Sequence, residues 1–324
     1  MSEGAKTMRA VAIDDFGEVD ELEVKHLPVP EPGPDEVLIQ IESIGVGAWD
    51  PYEISGGFHQ EGMAGEPSFP YVPGADCAGT VAAVGQNVDR FEPGQRVYAF
   101  TLVNPKGGSY AEYVAVNQEL VSPIPEGIGT REAGVLPTDA MTALRGLDDT
   151  LGVTQGETVM IFGASGGVGH FAVQIAKRMG ARVFAVASGK DGVQLAARLG
   201  ADAAVDGREK DVASAARAFA PDGIDAALVT AGGSATDAAL EAVKRGGRVA
   251  YPHGVMPEPR ERSGLRIHGY DGVPDREAIG KLNRLIEHDS FEVAIDRTFA
   301  LRDAPAALHA VAEHHLGKFA LAPS

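Results

Sequence analysis

The chain has 324 residues, 44% hydrophobic and 23% charged, which excludes a disordered or fibrous protein and leads to a packed core in two domains or one large α/β unit. Its 28 Lys and Arg against 46 Asp and Glu leave a formal charge of −18, which repels nucleic acid and anionic membrane surfaces, so neither is expected as a partner. A single cysteine, Cys77, rules out an intramolecular disulfide and a cysteine-built zinc site, and fits a reducing compartment.

The start, Met1-Ser2-Glu3-Gly4, has no basic segment followed by an apolar one, and no apolar stretch approaches the roughly 18 residues of a membrane helix. A cytoplasmic protein is expected. Short Val/Ile-containing runs at Arg9 to Ile13, Glu36 to Ile44, Gly79 to Val84 and Gln95 to Phe100 predict strands, separated by turn signals such as Pro28-Val29-Pro30-Glu31-Pro32-Gly33-Pro34 and Glu92-Pro93-Gly94. The stretch from Gly56 to Gly74 reads as a long surface loop of the kind that edges a site.

From about Ala133 the pattern alternates. Strands are predicted at Thr158 to Phe162, Val183 to Ala187, Ala203 to Val205, Ile224 to Val229 and Gly247 to Tyr251. Between them lie helices at Val168 to Met179, Val193 to Leu199, Val212 to Phe219 and Ala235 to Val243. Such alternation predicts an α/β fold with a doubly wound parallel sheet. The remainder is mixed: an apolar run at Leu265 to Ile267, helices at Arg276 to Ile286 and Ala304 to Ala312, and a last strand near Lys318 to Leu321, folding back onto the first domain.

The most informative segment is Gly163-Ala164-Ser165-Gly166-Gly167-Val168-Gly169-His170, placed between a buried strand and a helix. Glycines there allow a sharp turn and bring N–H groups close to a pyrophosphate, and the helix N-terminus favours its charge. A phosphate loop of the Lys-Ser/Thr type fails, because His170-Phe171 stand where it needs those residues. The same residues also match the G-x-S-x-G turn of hydrolases, with Ser165 as nucleophile, although no HGGG-type oxyanion sequence precedes it. Dinucleotide binding through Gly163, Ser165, Gly166, Gly167 and Val168 is the expectation, with a Ser165 hydrolase as the alternative. The next strand ends without a carboxylate before Asp191, while Ser188, Lys190 and Arg208 suit a 2′-phosphate, so NADPH is the expected cofactor. Ala231, Tyr251 and His253 follow later strands, at the ends where ligands of such a sheet collect.

Three further segments carry a resemblance. Pro70-Tyr71-Val72-Pro73-Gly74-Ala75-Asp76-Cys77-Ala78-Gly79-Thr80-Val81, Pro93-Gly94-Gln95-Arg96-Val97 and Gly108-Ser109-Tyr110-Ala111-Glu112-Tyr113, followed by the Gly-rich turn and by Gly317-Lys318-Phe319-Ala320-Leu321, resemble the medium-chain dehydrogenase/reductase superfamily. Within it the chain is most similar to the zinc-free quinone oxidoreductase branch. The resemblance implies a GroES-like β domain over residues 1–125, completed by 262–324, and a Rossmann domain over 126–261. Where zinc-binding members carry ligands, Gly47 and Ala75 have no donor atom, so no metal is expected.

The resemblance also implies that Asp50 and Tyr52 lie beside the nicotinamide, Tyr52 giving a hydrogen bond or a proton to the substrate oxygen. Thr142, with Thr138 as second candidate, matches a Thr near the nicotinamide amide. Two departures stand out: Gly47 where many relatives have Asn, and Gly207 where NADPH-binding relatives often have Tyr. The expected activity is hydride transfer from NADPH to an electron-poor small molecule, a quinone or an α,β-unsaturated carbonyl. A non-catalytic NADPH-binding protein is the alternative from another class. By analogy a homodimer is expected through an edge strand of the Rossmann sheet at Leu265 to Tyr270. His309, His314 and His315 read as surface residues.

Overall fold

The run Val159-Met160-Ile161-Phe162 forms a central strand because both of its faces are covered, and each of its residues is buried. Around it, the computed structural model describes residues 6–63, 65–209 and 211–323, so the expectation drawn from Met1 to Gly4 lies outside the described residues. The first part of the chain runs β1 (Thr7–Ala12), β2 (Glu23–Pro28), β3 (Glu36–Val46), α1 (Asp50–Ile54), α2 (Gly57–Gln60), β4 (Asp76–Val84), β5 (Arg96–Phe100), β6 (Tyr113–Asn117) and β7 (Val121–Pro123). Then follow α3 (Thr130–Ala133), α4 (Pro137–Arg145), β8 (Thr158–Phe162), α5 (Gly167–Arg178), β9 (Arg182–Ala187), α6 (Gly189–Arg198), β10 (Ala203–Asp206), α7 (Val212–Phe219), β11 (Ile224–Val229), α8 (Ser234–Ala239) and β12 (Val243–Pro252). The tail adds β13 (Arg266–Tyr270), α9 (Arg276–Glu287), β14 (Ile295–Ala300), α10 (Ala304–Ala310) and β15 (Lys318–Ala322).

Strands β10-β9-β8-β11-β12-β13 form a six-stranded sheet in that order, parallel throughout. Its strand order reverses between β8 and β11, and β8 feeds the Gly-rich turn at that point, where ligands of open α/β sheets bind. A seven-stranded sheet, β14-β15-β3-β4-β5-β7 with β6 also on β3, makes the second layer of the molecule. The last strand returns the chain to this sheet: β15 pairs antiparallel with β3, Ala320 opposite Gly45.

Three differences from the sequence expectations have physical causes. The nucleotide-binding part runs past the expected boundary at 261, because β13 pairs with β12 and α9 buries Ala278, Ile279, Leu282 and Ile286 in the same core as β8 and α5. The helix expected over Ala235 to Val243 stops at Ala239, and β12 begins at Val243. The expected loop from Gly56 to Gly74 holds the short helix α2, and its end is buried from Tyr71 to Gly74, where Tyr71 exchanges main-chain hydrogen bonds with Ile13 at 2.8 and 3.0 Å. Among the described residues no helix is long and apolar enough to cross a membrane.

Candidate functional site

At the end of β8 the backbone turns through Gly163, whose φ of +88° a β-carbon would strain. The chain then enters α5 without a side-chain cap: Gly166 is the N-cap residue, and no side chain accepts from the first turn. The N–H groups of Gly167, Val168 and Gly169 thus keep the free donors of a helix N-terminus. Close approach is built in here, since a β-carbon on Gly169 would overlap the Gly163 carbonyl oxygen, whereas one on Gly166 would meet only that oxygen, at 3.6 Å, and otherwise open space. The residues present fit a dinucleotide pyrophosphate.

Ser165 is 4% exposed, and its hydroxyl lies 3.4 Å from the Ser188 N–H that it accepts. Such a hydroxyl positions the β9–α6 turn; it is not a presented nucleophile. Register sets the rest of this wall. Ala187 at the end of β9 stands opposite Asp206 at the end of β10, and Gly207 donates its N–H to the Ala187 carbonyl at 2.9 Å. Ser188, Lys190 and Arg208 are therefore brought to one edge of the turn.

His170, in the first turn of α5, is wholly buried. Its Nδ1–H donates to the Gly166 carbonyl at 2.9 Å, and Nε2 has no partner among the described residues. Burial drives its pKa down to about 4, so the native state keeps the ring neutral where an unfolded chain would protonate it. Stability from this group is full above the ordinary value near 6.5 and is lost as pH falls toward 4, a loss of about 2 kcal/mol by pH 5. His170→Phe is expected to be less stable than wild type at pH 7.5 by about 1 kcal/mol, from the lost hydrogen bond, and to close that gap at pH 5. Urea unfolding at the two pH values measures it; an equal gap at both would rule it out.

The facing wall comes from the β3–α1 loop. Gly47, Trp49 and Asp50 form a tight unit in which the Asp50 carboxylate accepts the Gly47 N–H at 2.9 Å and the Tyr110 hydroxyl at 2.7 Å. Asp50 is wholly buried, and burial, followed by the nearby Glu53, pushes its pKa up to about 8. Its carboxylate is covered and bonded to the loop's own Gly47 N–H and to Tyr110, so it holds this loop in shape. Glu53 next to it is also buried and accepts the Tyr71 hydroxyl at 2.7 Å and the Gly74 N–H at 3.0 Å. Glu53 has no signature in the sequence, because an isolated Glu in such a stretch carries no pattern.

Tyr52 is 42% exposed and donates its hydroxyl to Glu61 at 2.6 Å, a carboxylate that raises the phenol's pKa. The place of the missing Gly47 side chain is taken by Trp49: a β-carbon on Gly47 would lie 2.6 Å from the indole Nε1. The indole also covers Lys318, whose Nζ lies 5.2 Å from the ring centroid.

Lys318 is the residue for which the sequence offered only the family's closing motif. It is 3% exposed and pairs with Asp139, with Asp76 at 3.9 Å. Burial lowers the Lys318 pKa, and Asp139 and Asp76 more than offset it, leaving it raised overall. Burial raises Asp76 to about 6 even against Lys318 and the Thr138 hydrogen bonds. The cluster lies against the dinucleotide turn, since a β-carbon on Gly167 would lie 2.6 Å from the Asp139 carboxylate and 3.3 Å from the Lys318 Cδ. A catalytic metal does not fit here. Gly47 and Ala75 have no donor atoms, and among the described residues no three His, Cys, Asp or Glu side chains converge.

The other expected residues are placed as follows. Thr142 donates its hydroxyl to the Thr138 carbonyl at 2.8 Å and is covered by Gly272, so its hydroxyl is already engaged. Thr138 donates from both N–H and hydroxyl to Asp76. Ala231 is exposed in the turn after β11. Tyr251 donates to Glu258 at 3.0 Å, and His253 pairs with Asp271 at 2.9 Å beside β13. The last two are thus engaged by their own neighbours at the β13 side of the sheet.

Comparison with known proteins agrees with this geometry. Residues 33–126 match the family model for an alcohol dehydrogenase GroES-like domain, and residues 167–268 match that for a zinc-binding dehydrogenase. A quinone oxidoreductase of Mus musculus is 31% identical over 253 residues, which are 77% of this chain and 74% of that protein. A 2-methylene-furan-3-one reductase of Solanum lycopersicum is 32% identical over 296 residues, 89% of this chain and 71% of its own. Among solved structures, a mycobacterial protein complexed with NADPH superposes with a TM-score of 0.82 at 26% identity, over 98% of this chain and 100% of that one. The alternatives of a non-catalytic nucleotide carrier and a Ser165 hydrolase fall away, because the relatives are reductases and the serine is buried. With a GroES-like sheet, a Rossmann sheet and a dinucleotide turn between them, the chain is an NAD(P)-dependent oxidoreductase that belongs to the quinone oxidoreductase branch of the medium-chain dehydrogenase/reductase superfamily.

Proposed function

We propose that this enzyme uses NADPH to reduce an electron-poor small molecule, a quinone or an α,β-unsaturated carbonyl, without a metal. The observation that carries this reading is the chemistry of the junction between the sheets. The acidic side chains there, Asp76 and Asp139, are committed to Lys318, while Tyr52 on α1 stays partly exposed with its hydroxyl able to turn to a substrate. Ser188, Lys190 and Arg208, gathered at the ends of β9 and β10, supply the hydrogen bonds and positive charge that a 2′-phosphate needs.

When bound, the nicotinamide supplies the hydride. The chain's own work is to hold the two reactants together and to meet the negative charge that grows on the substrate oxygen. Tyr52 does this by turning its hydroxyl from Glu61 to that oxygen, giving a hydrogen bond and then the proton, which solvent replaces at this half-exposed position. Tyr52→Phe is expected to lower kcat about a hundredfold, the scale of a lost general acid, while NADPH binds as before.

The test is NADPH consumption with a panel of quinones and enones in the presence of a chelator. Turnover that survives chelation supports the reading, and turnover that the chelator abolishes, or none with any member, overturns it. The enzyme is further proposed to act in the cytoplasm, to which its buried, unpaired Cys77 is suited, and as a homodimer. Strand β13 ends the six-stranded sheet with one side unpaired among the described residues, and pairing two copies there would satisfy its main-chain groups.

A further inference from the structure

The tail of the chain crosses the dinucleotide turn. Gly317 donates its N–H to the Ser165 carbonyl at 2.8 Å, which fixes the segment before β15 over the β8–α5 loop. From that segment His314 reaches α6, with Nε2 3.0 Å from the Asp191 Oδ2 and 3.3 Å from its Oδ1. Asp191 Oδ1 also accepts the Gly192 N–H at 2.9 Å. The pair lies at the phosphate edge of the site: a β-carbon on Gly189 would sit 2.6 Å from Asp191 Oδ1 and 3.6 Å from His314 Nε2, and one on Gly192 would sit 2.8 Å from the Ser165 hydroxyl.

A carboxylate just past this strand is the group that selects a free ribose, by accepting its hydroxyls and repelling a 2′-phosphate. Asp191 is the first carboxylate after β9, and here it is engaged by His314 and the Gly192 N–H. We propose that His314 is a selectivity residue: by engaging Asp191 it withdraws the one carboxylate that would favour a free ribose, and so tips the site toward the 2′-phosphate of NADPH. This rests on the NADPH reading above. Lys190, beside Asp191 in the first turn of α6, then acts on the phosphate without a competing acceptor.

The experiment measures dissociation constants of NADPH and NADH for wild type, His314→Ala, His314→Gln, Asp191→Asn and the Ala/Asn double variant. His314→Ala is expected to lower the NADPH-over-NADH preference about tenfold, the effect of freeing one carboxylate a few ångströms from a phosphate. His314→Gln, which still donates an N–H, should keep most of the preference. With Asp191→Asn in place, His314→Ala should change nothing further. A preference within twofold of wild type in His314→Ala overturns the proposal, as does a full loss that persists in the double variant. A wild-type protein that prefers NADH overturns the cofactor reading alone; the ratio between wild type and His314→Ala still decides the role of His314.

Discussion

Replacing Gly166 by Leu is expected to leave the protein folded and to weaken dinucleotide binding at least about a hundredfold, close to 3 kcal/mol. The residue has φ −83° and ψ −173°, an extended conformation open to any side chain. Its β-carbon would meet nothing but the Gly163 carbonyl oxygen, at 3.6 Å. The added side chain therefore fills the space in front of the free N–H groups of α5, where the pyrophosphate belongs, at no cost to packing. Gly169→Ala gives the contrast. Its β-carbon would overlap the Gly163 carbonyl oxygen and lie 2.8 Å from the Ala164 Cα, so helix and turn must part, with a stability loss of about 2 to 3 kcal/mol. Titration with NADPH and thermal unfolding separate the two: the first variant loses binding with an unchanged Tm, the second loses Tm. A Gly166→Leu protein that binds normally would falsify the assignment of this turn.

Lys318→Met is expected to be the most destabilising single change at the junction, by about 3 to 5 kcal/mol, because it leaves two carboxylates buried without a counter-charge. Asp76 and Asp139 have side-chain exposures of 1% and 4%, so water cannot take the place of the ammonium. The loss should depend on pH. An acid whose native pKa is raised, as for Asp76 at about 6, binds more protons in the native than in the unfolded state between its ordinary value and the raised one. Stability contributed by that protonation is present at low pH and is lost as pH rises through the window. Removing Lys318 raises Asp76 further and widens the window, so the deficit of the variant should be smaller at pH 5 than at pH 8. Adding Asp76→Asn should recover part of it. Trp49, the single tryptophan of the chain, sits on the Lys318 ammonium, so its emission follows the unfolding directly. Equal deficits at both pH values would show that the carboxylates are not what the lysine neutralises.

Much of the nucleotide-binding half is legible in the chain. Thr158 to Phe162 is apolar throughout because it is buried on both faces, and α7 and β11 begin and end where periodicity puts them. Strands β2 and β14 escape notice for the opposite reason. β2 has no buried residue and alternates between exposed and half-buried ones after its first, as on a surface hairpin, and β14 keeps three polar residues in its centre, so neither has an apolar run. The edge strand β13 is visible as Leu265 to Ile267, and the place at the edge of the nucleotide sheet that the resemblance implied for it is met by its pairing with β12.

The same division holds at the site. Local sequence determined the glycine turn, the absence of metal donors at Gly47 and Ala75, and the basic groups after β9, since each needs only a few consecutive residues in one conformation. Tertiary structure alone decided that Asp50 is buried beneath Tyr110, that Trp49 fills the gap above Gly47, that Lys318 lies between Asp76 and Asp139, and that His314 meets Asp191 from 123 positions away. Those contacts join segments far apart in the chain. Burial, charge pairing and the exposure of a hydroxyl are properties of the space they enclose, and no single segment carries them.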